Sequence, residues 1–358
     1  METIRWGIIG TGRITRAVAK DFREVAGAEL TAVASRTQQR ADEWAREFGL
    51  RKAYGSYRSL LDDEDIDVVY IATPHPQHLD IALAAIERGK AVLVEKAMTA
   101  TYAGAQELVQ AARSRGVFLM EGLWTRFQPA MQAAKEVVAW GRIGDVVGVQ
   151  GDFSICHEFD PADRLFAKEL GGGSILDLAV YPVSLAQFFL GNVKDVRCLT
   201  RLCPNGVDAA ASISLRHEGD ALSSLTSAID AHGPGRFIIS GTKGWIEVEP
   251  PFFHPTTISV HRSGTLPRVI ETKVVGRGYA HQFAEATRLV QQGATESPTM
   301  PLADSLEVMR ILDECVTQTG SPTKKRRLTS ADVTRRAESL GFRGSQPGTQ
   351  ARRCPFAA

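Results

Sequence analysis

The opening of this chain limits its fold more than any other feature. Residues 4–10, IRWGIIG, are a short apolar run that breaks into Gly10-Thr11-Gly12. A helical pattern over 13–24 and a second apolar run over 30–34 follow, ending at Ser35-Arg36. A strand, a glycine turn, a helix and a second strand in that order open a dinucleotide-binding unit. A Cβ at Gly10 or Gly12 would block close approach of a pyrophosphate. The helix start at Arg13 and Ile14 would offer unpaired N–H groups and partial positive charge. The third small position of the fingerprint falls on Thr15, so these residues alone leave a plain tight turn equally open.

The alternation continues. Strands are expected at 67–72, 91–94 and 117–120, and helices at 37–48, 76–88 and 101–114. Such βα repetition implies a doubly wound parallel sheet, apolar on both faces, with its ligand at the carboxyl ends of the strands. Gly10, Ser35, Thr73 and Glu95 all fall at that edge. After about residue 122 the pattern changes to a helix at 129–139, a strand at 145–153 and a glycine triplet opening a long apolar helix, 174–190. Seven strand-like segments between 194 and 275 and two helices, 280–292 and 303–317, complete it. The expected architecture is α/β: a Rossmann domain over 1–122 and an α+β domain over 123–320 with a large open, mainly antiparallel sheet. Helices can cover only one face of that sheet, which predicts a homodimer or homotetramer through the other.

Composition narrows the rest. The 358 residues are 44% hydrophobic and 23% charged with a net charge of +1, ordinary for a globular protein and no argument for nucleic acid. The charge is uneven. Residues 321–358 hold nine Lys and Arg against two Asp and Glu, a net of +7, and read as a basic, disordered tail. Five cysteines without a C-x-x-C point to reduced thiols in the cytoplasm and no metal site. No apolar run approaches the ~20 residues of a membrane span.

Several side chains carry candidate chemistry. The second strand ends in Ser35-Arg36, with Arg40 a turn later, where an NAD-binding chain would carry an acid. A hydroxyl and guanidinium groups suit a 2′-phosphate, which favours NADP, with NAD possible. Thr73-Pro74-His75-Pro76-Gln77-His78 would lie beside the cofactor, with a helix starting at Pro76. Glu95-Lys96 ends the fourth strand, so Lys96 could hold a substrate hydroxyl and lower the pKa of an acid–base group. Asp177 and Tyr181, four apart, should share a helix face. Tyr181 would transfer the proton, given an ammonium such as Lys96 to bring its ordinary pKa of ~10 towards neutrality. Trp124 and Phe127 could wall the site and Arg126 could anchor a polar substrate; Phe252, Phe253 and Tyr279 could also reach it.

Together these motifs resemble the glucose–fructose oxidoreductase / inositol dehydrogenase / MocA family over about residues 1–318. The resemblance rests on GIIGTGRIT at 7–15, TPHPQH at 73–78, EKA at 95–97, MEGLWTRFQP at 120–129, GGGSILDLAVYP at 171–182 and GTKGWIEVEPPF at 241–252. Within the family, the second-domain motifs are most similar to the dimeric dihydrodiol and NADP-dependent D-xylose dehydrogenase branches. The inositol branch has a histidine where Tyr181 stands. The resemblance implies NAD(P) at Gly10–Gly12, Lys96 as the motif lysine and Tyr181 as acid–base, with Asp177 orienting it or the substrate. The substrate would be a small polyol or polyhydroxylated ring, an aldose or a trans-dihydrodiol, with Trp124 and Phe253 favouring a flatter, more apolar ring and Arg126 a polar one. Three residues depart from the family pattern: Thr15 for Ala or Gly, Ala97 for the motif proline, and His75 for Asn. The rival expectation is a non-catalytic nucleotide sensor whose basic tail contacts an acidic partner.

Overall fold

The computed structural model describes residues 2–319, so the expectation for 321–358 lies outside the described residues. Six parallel strands form the first sheet in the order β3-β2-β1-β4-β5-β6: β1 Ile4–Ile9, β2 Ala28–Ala34, β3 Lys52–Tyr54, β4 Val68–Ile71, β5 Ala91–Glu95 and β6 Leu119–Gly122. Every residue of β4, β5 and β6 is buried, as a sheet covered on both faces requires. The crossover helices are α1 Arg13–Asp21, α2 Gln38–Phe48, α3 Tyr57–Leu61, α4 His78–Glu87 and α5 Tyr102–Arg115. Their ends follow local chemistry. Thr37, Ser56 and Thr101 cap α2, α3 and α5 by accepting from the N–H three residues on. Gly49 and Gly116 close α2 and α5 in the left-handed conformation. β3 and α3 were not expected: three and five residues are too short to show a period.

The second sheet has eight strands in the order β14-β13-β12-β11-β7-β10-β9-β8. They are β7 Val146–Ser154, β8 Val193–Leu202, β9 Asp208–His217, β10 Leu222–Ala228, β11 Phe237–Gly241, β12 Gly244–Val248, β13 Thr257–Arg262 and β14 Arg268–Glu271. Only β7 and β10 pair in parallel, so the sheet is mainly antiparallel as expected. Helix α6, Pro129–Ala139, enters it with proline at its first turn. Beyond β7 the chain crosses through residues 155–173 into a π-helical turn, Ile175–Ala179, and helix α7, Val180–Leu190. The stretch Lys168–Leu190 is long and apolar enough to span a membrane by length and composition, against the sequence expectation. Its most apolar 18 residues are 83% buried, as the core element of a globular domain is.

The chain then returns to the first sheet. Helix α8, Ala280–Gln291, sets Phe283 among Trp6, Phe22 and Tyr70 at ring distances of 5.0–5.3 Å. Thr287 on the same helix accepts the Trp6 indole N–H at 3.2 Å. Helix α9, Leu302–Gln318, packs between α5, α7 and β8. The far face of the large sheet exposes Leu199, Ser212, Ser214, Arg216, Ser224 and Thr226.

Candidate functional site

At the end of β1 the backbone makes room. Gly10 has φ +111, and a Cβ there would lie 2.7 Å from the Ala72 carbonyl oxygen, so only glycine serves. Gly12 is extended, and a Cβ on it would meet nothing within 4 Å. It caps α1 without any side-chain acceptor, leaving the first N–H groups aimed at open space. Thr15 is fully buried and returns its hydroxyl to the Gly12 carbonyl at 2.9 Å, so its bulk lies beneath the turn. Thr11 and Ser35 join their hydroxyls at 3.1 Å across the ends of β1 and β2. Arg36 and Arg40 are exposed and in no ion pair among the described residues. The Thr73 hydroxyl, just beyond β4, is buried without a partner among the described residues. An uncapped helix, a cradle that a Cβ would fill and an unsatisfied hydroxyl fit a nicotinamide dinucleotide.

The segment from Pro74 begins as a single 3-10 turn, His75–Gln77, before α4. Both histidine rings are buried. His75 sits between the Gly171 and Lys96 carbonyls at 3.1 and 3.2 Å. His78 sits between those of Ala97 and Thr73 at 3.1 and 2.7 Å. Burial lowers their pKa values, to about 3 and about 4, so both rings are neutral and each donates to only one of its two carbonyls. They pin the loop to the strand end and to the glycine triplet. The peptide between Lys96 and Ala97 is cis. Glu95 also points inward: its carboxylate accepts the buried Tyr70 hydroxyl.

Lys96 reaches across to the second domain. Its Nζ donates to the Asp177 main-chain oxygen at 2.7 Å and to Oδ1 at 3.2 Å, and lies 4.9 Å from the centre of the Tyr181 ring. Asp177 and Tyr181 come together through the π-helical turn and the start of α7, not along one regular α-helical face. Burial would raise the Asp177 pKa, but the charges of Lys96 and Arg164 hold it well below the carboxylate range. Tyr181 Oη accepts the Trp124 indole N–H at 3.1 Å. Its pKa is raised by burial and by the charge of Glu95.

Aromatic rings enclose the phenol. Trp124 stacks on Tyr279 at 4.2 Å, Phe153 on Phe253 at 4.4 Å, and Phe153 meets Tyr181 edge-on at 5.1 Å. Phe252 is fully buried core, and Phe127 is buried outside this group of rings. Arg126 is no substrate anchor. It is fully buried, and its guanidinium donates to the Ser184 hydroxyl and carbonyl, Gln187 and Asp304 at 2.6–2.8 Å. A cation so committed ties the Trp124–Phe127 turn to α7 and α9.

The sequence also hid three contributors. Phe153 is an inward residue of β7 with nothing to separate it from ordinary core. Arg164, in the 155–173 crossover, grips Asp177 through two N–H groups at 3.1 Å. Glu121 is fully buried at the end of β6 and takes the Met98 N–H on Oε1 at 2.8 Å. Burial pushes its carboxyl up to about 7. Phe153 and Arg164 lie in no readable motif, and Glu121, within MEGLWTRFQP, carried no signal that it would be buried.

The oxidoreductase family with an NAD-binding Rossmann fold, GFO/IDH/MocA, matches residues 4–123, and the GFO/IDH/MocA C-terminal domain matches 131–247. The chain is 36% identical over 324 residues to trans-1,2-dihydrobenzene-1,2-diol dehydrogenase of Mus musculus, spanning 87% of this chain and 95% of the relative. The Homo sapiens protein of that name is 34% identical over 322 residues, with the same coverage. An NAD-binding oxidoreductase from Klebsiella pneumoniae superposes with a TM-score of 0.81 at 25% identity, covering 89% of this chain and 97% of that one. A 3-ketoreductase from Actinomadura kijaniata, in complex with NADP and TDP-benzene, gives 0.79 at 26%, covering 89% and 98%. Sequence, fold and the cradle at Gly10–Gly12 lead to one conclusion: the chain belongs to the GFO/IDH/MocA oxidoreductase family and is an NAD(P)-binding oxidoreductase.

Proposed function

We propose that the protein is an NADP-dependent dehydrogenase that oxidises a secondary hydroxyl on a polyhydroxylated ring, a trans-dihydrodiol or an aldose. The observation that carries this is the convergence of Lys96, Asp177 and Tyr181 beside the nucleotide cradle. The names of the relatives support a dihydrodiol, and the planar walls of Trp124, Tyr279 and Phe253 suit a flat ring. Arg36 and Arg40 favour a 2′-phosphate over a bare ribose.

NADP held at the cradle supplies the hydride acceptor. The protein's part is position and proton transfer. Tyr181 takes the substrate hydroxyl proton on Oη, and Lys96 steadies the negative charge on the substrate oxygen. The Trp124 N–H supports the tyrosinate, and Asp177 fixes the ammonium. Because burial holds the Tyr181 pKa above its ordinary value, oxidation should speed up with rising pH well into the alkaline range, whereas carbonyl reduction, which uses the protonated phenol, should not. The exposed sheet face would be covered by a second copy, giving a homodimer or homotetramer. The free thiols of Cys156, Cys198, Cys203 and Cys315 suit a cytoplasmic setting.

The test is NADPH formation from trans-1,2-dihydrobenzene-1,2-diol and a panel of aldoses. Turnover of one of them that Lys96→Met and Tyr181→Phe both abolish supports the reading. Turnover at wild-type rate in those variants refutes it.

A further inference from the structure

The Asp177 carboxylate is shared by two cations. Lys96 holds one oxygen at 3.2 Å. Arg164 holds both, Nη1 on Oδ1 and Nη2 on Oδ2, each at 3.1 Å. The acid is buried, with 9% of its side chain exposed, whereas the Arg164 side chain is 40% exposed. One negative charge between two positive ones leaves the Lys96–Asp177–Arg164 group at +1, which opposes the charge of Glu95 on Tyr181. Were Lys96 the only partner, the pair would be neutral and the ammonium would belong wholly to the aspartate.

Arg164 is delivered by a built segment. Its loop is fastened by Gly173 N–H to the Leu165 carbonyl at 2.9 Å and Gly172 N–H to the Ala167 carbonyl at 3.0 Å. Asn205 donates to the Phe166 carbonyl at 2.7 Å, and Leu165 and Phe166 are buried. A Cβ on Gly172 would lie 2.6–2.9 Å from the carbonyl oxygens of residues 164, 165 and 167, so the glycine lets the loop fold onto the helix start. The second glycine of the triplet thus shapes the segment that presents Arg164.

We infer that Arg164 is a positioning residue for the dehydrogenase reaction: it shares the charge of Asp177 so that Lys96 remains available to the reacting oxygen. The inference rests on the function proposed above and extends it. The other groups facing this cluster do not supply that charge. Glu95, at the end of β5, is acidic; His75, on the 73–78 loop, is neutral; Tyr70 on β4 and Tyr279 before α8 are phenols; and Arg126 is turned away into its own ion pair with Asp304. Arg164 is therefore the one cation besides Lys96 that pairs with Asp177 among the described residues. Removing it withdraws a positive charge from the neighbourhood of Tyr181, which makes tyrosinate and alkoxide harder to form.

The experiment compares the full chain with Arg164→Gln and Arg164→Lys. With a substrate found as above, the rise of kcat for oxidation should move to higher pH by about one unit in Arg164→Gln, with kcat at pH 7 down by about tenfold. KM for NADP should hold, and Arg164→Lys should recover most of the rate. Competitive acylation of lysines, read by peptide mass spectrometry without substrate, supplies an independent arm. Lys96 should label several-fold less in Arg164→Gln, being drawn wholly onto Asp177, and recover in Arg164→Lys. An unchanged pH profile overturns the proposal, as does unchanged Lys96 labelling; loss of rate with equal loss in Arg164→Lys and no pH shift assigns Arg164 to loop structure alone. If no substrate turns over in wild type, the proposed function fails while the labelling still decides the role of Arg164.

Discussion

At the Gly10–Gly12 turn, what would meet a nucleotide is backbone, open space and two exposed arginines. Around Tyr181 nearly every polar atom already has a partner: Lys96 on Asp177, Asp177 on Arg164, Tyr181 on Trp124. The first region is a cradle that waits for its ligand to satisfy it. The second is a preassembled charge cluster, desolvated and held from four chain segments. Binding and proton transfer should therefore respond separately to mutation, and each can be damaged while the other stands.

The largest separation should come from Lys96→Met and Tyr181→Phe. Each should lower kcat by about 10³-fold, the scale of a lost acid–base or charge-stabilising group, while NADP affinity measured by fluorescence quenching stays within a factor of a few. Gly12→Val should do the reverse. The position is extended and its Cβ meets no protein atom, so thermal unfolding should barely move, but the side chain fills the space before α1 and NADP should bind about 100-fold more weakly. An unfolding midpoint that falls sharply instead would make Gly12 a folding residue.

Next is the buried acid under the catalytic end. Glu121 has a folded pKa of about 7, above its ordinary 4.5. Its proton is bound more tightly in the folded state, so the stability it contributes is present below pH 4.5 and is lost as pH rises through 7. Glu121→Gln, which cannot ionise, should gain on wild type as pH rises, by about 2 kcal/mol at pH 8, read from urea unfolding at pH 5 and pH 8. A constant difference between the two pH values would show that the acid is not held protonated. The smallest effect belongs to Arg36→Ala: NADP affinity should fall about tenfold, as for one charge-assisted contact, with NAD affinity unchanged.

The same contrast explains what the sequence could show. The cradle is contiguous: an apolar run, two glycines and a helix start lie within a dozen residues, and the fold supplies only their spacing. Lys96 and Tyr181 were legible because each ends or opens an element in a recognisable motif. The rest of the catalytic region depends on neighbours far away in the chain. Arg126, a cation among aromatic residues, reads like an anchor until Ser184, Gln187 and Asp304 close around it. His75 and His78 read as cofactor contacts, and no spacing foretold that they would be buried beside the carbonyls of Lys96, Ala97, Gly171 and Thr73. Arg164 sits in a crossover with no period, thirteen residues before the acid it grips, and only the folded loop brings them together. The direction of the Tyr181 shift was hidden for the same reason: charge can be counted in a sequence, but desolvation needs the walls of Phe153, Trp124 and Phe253 in place.

The most direct measurement is a calorimetric titration of the full chain with NADP and with NAD, alongside Gly12→Val and Lys96→Met. The account predicts that wild type and Lys96→Met bind NADP alike and about tenfold more tightly than NAD, and that Gly12→Val loses both nucleotides while remaining folded. Equal binding by wild type and Gly12→Val, or no heat with either nucleotide, would contradict a cradle at the end of β1 and the separation of binding from catalysis built on it.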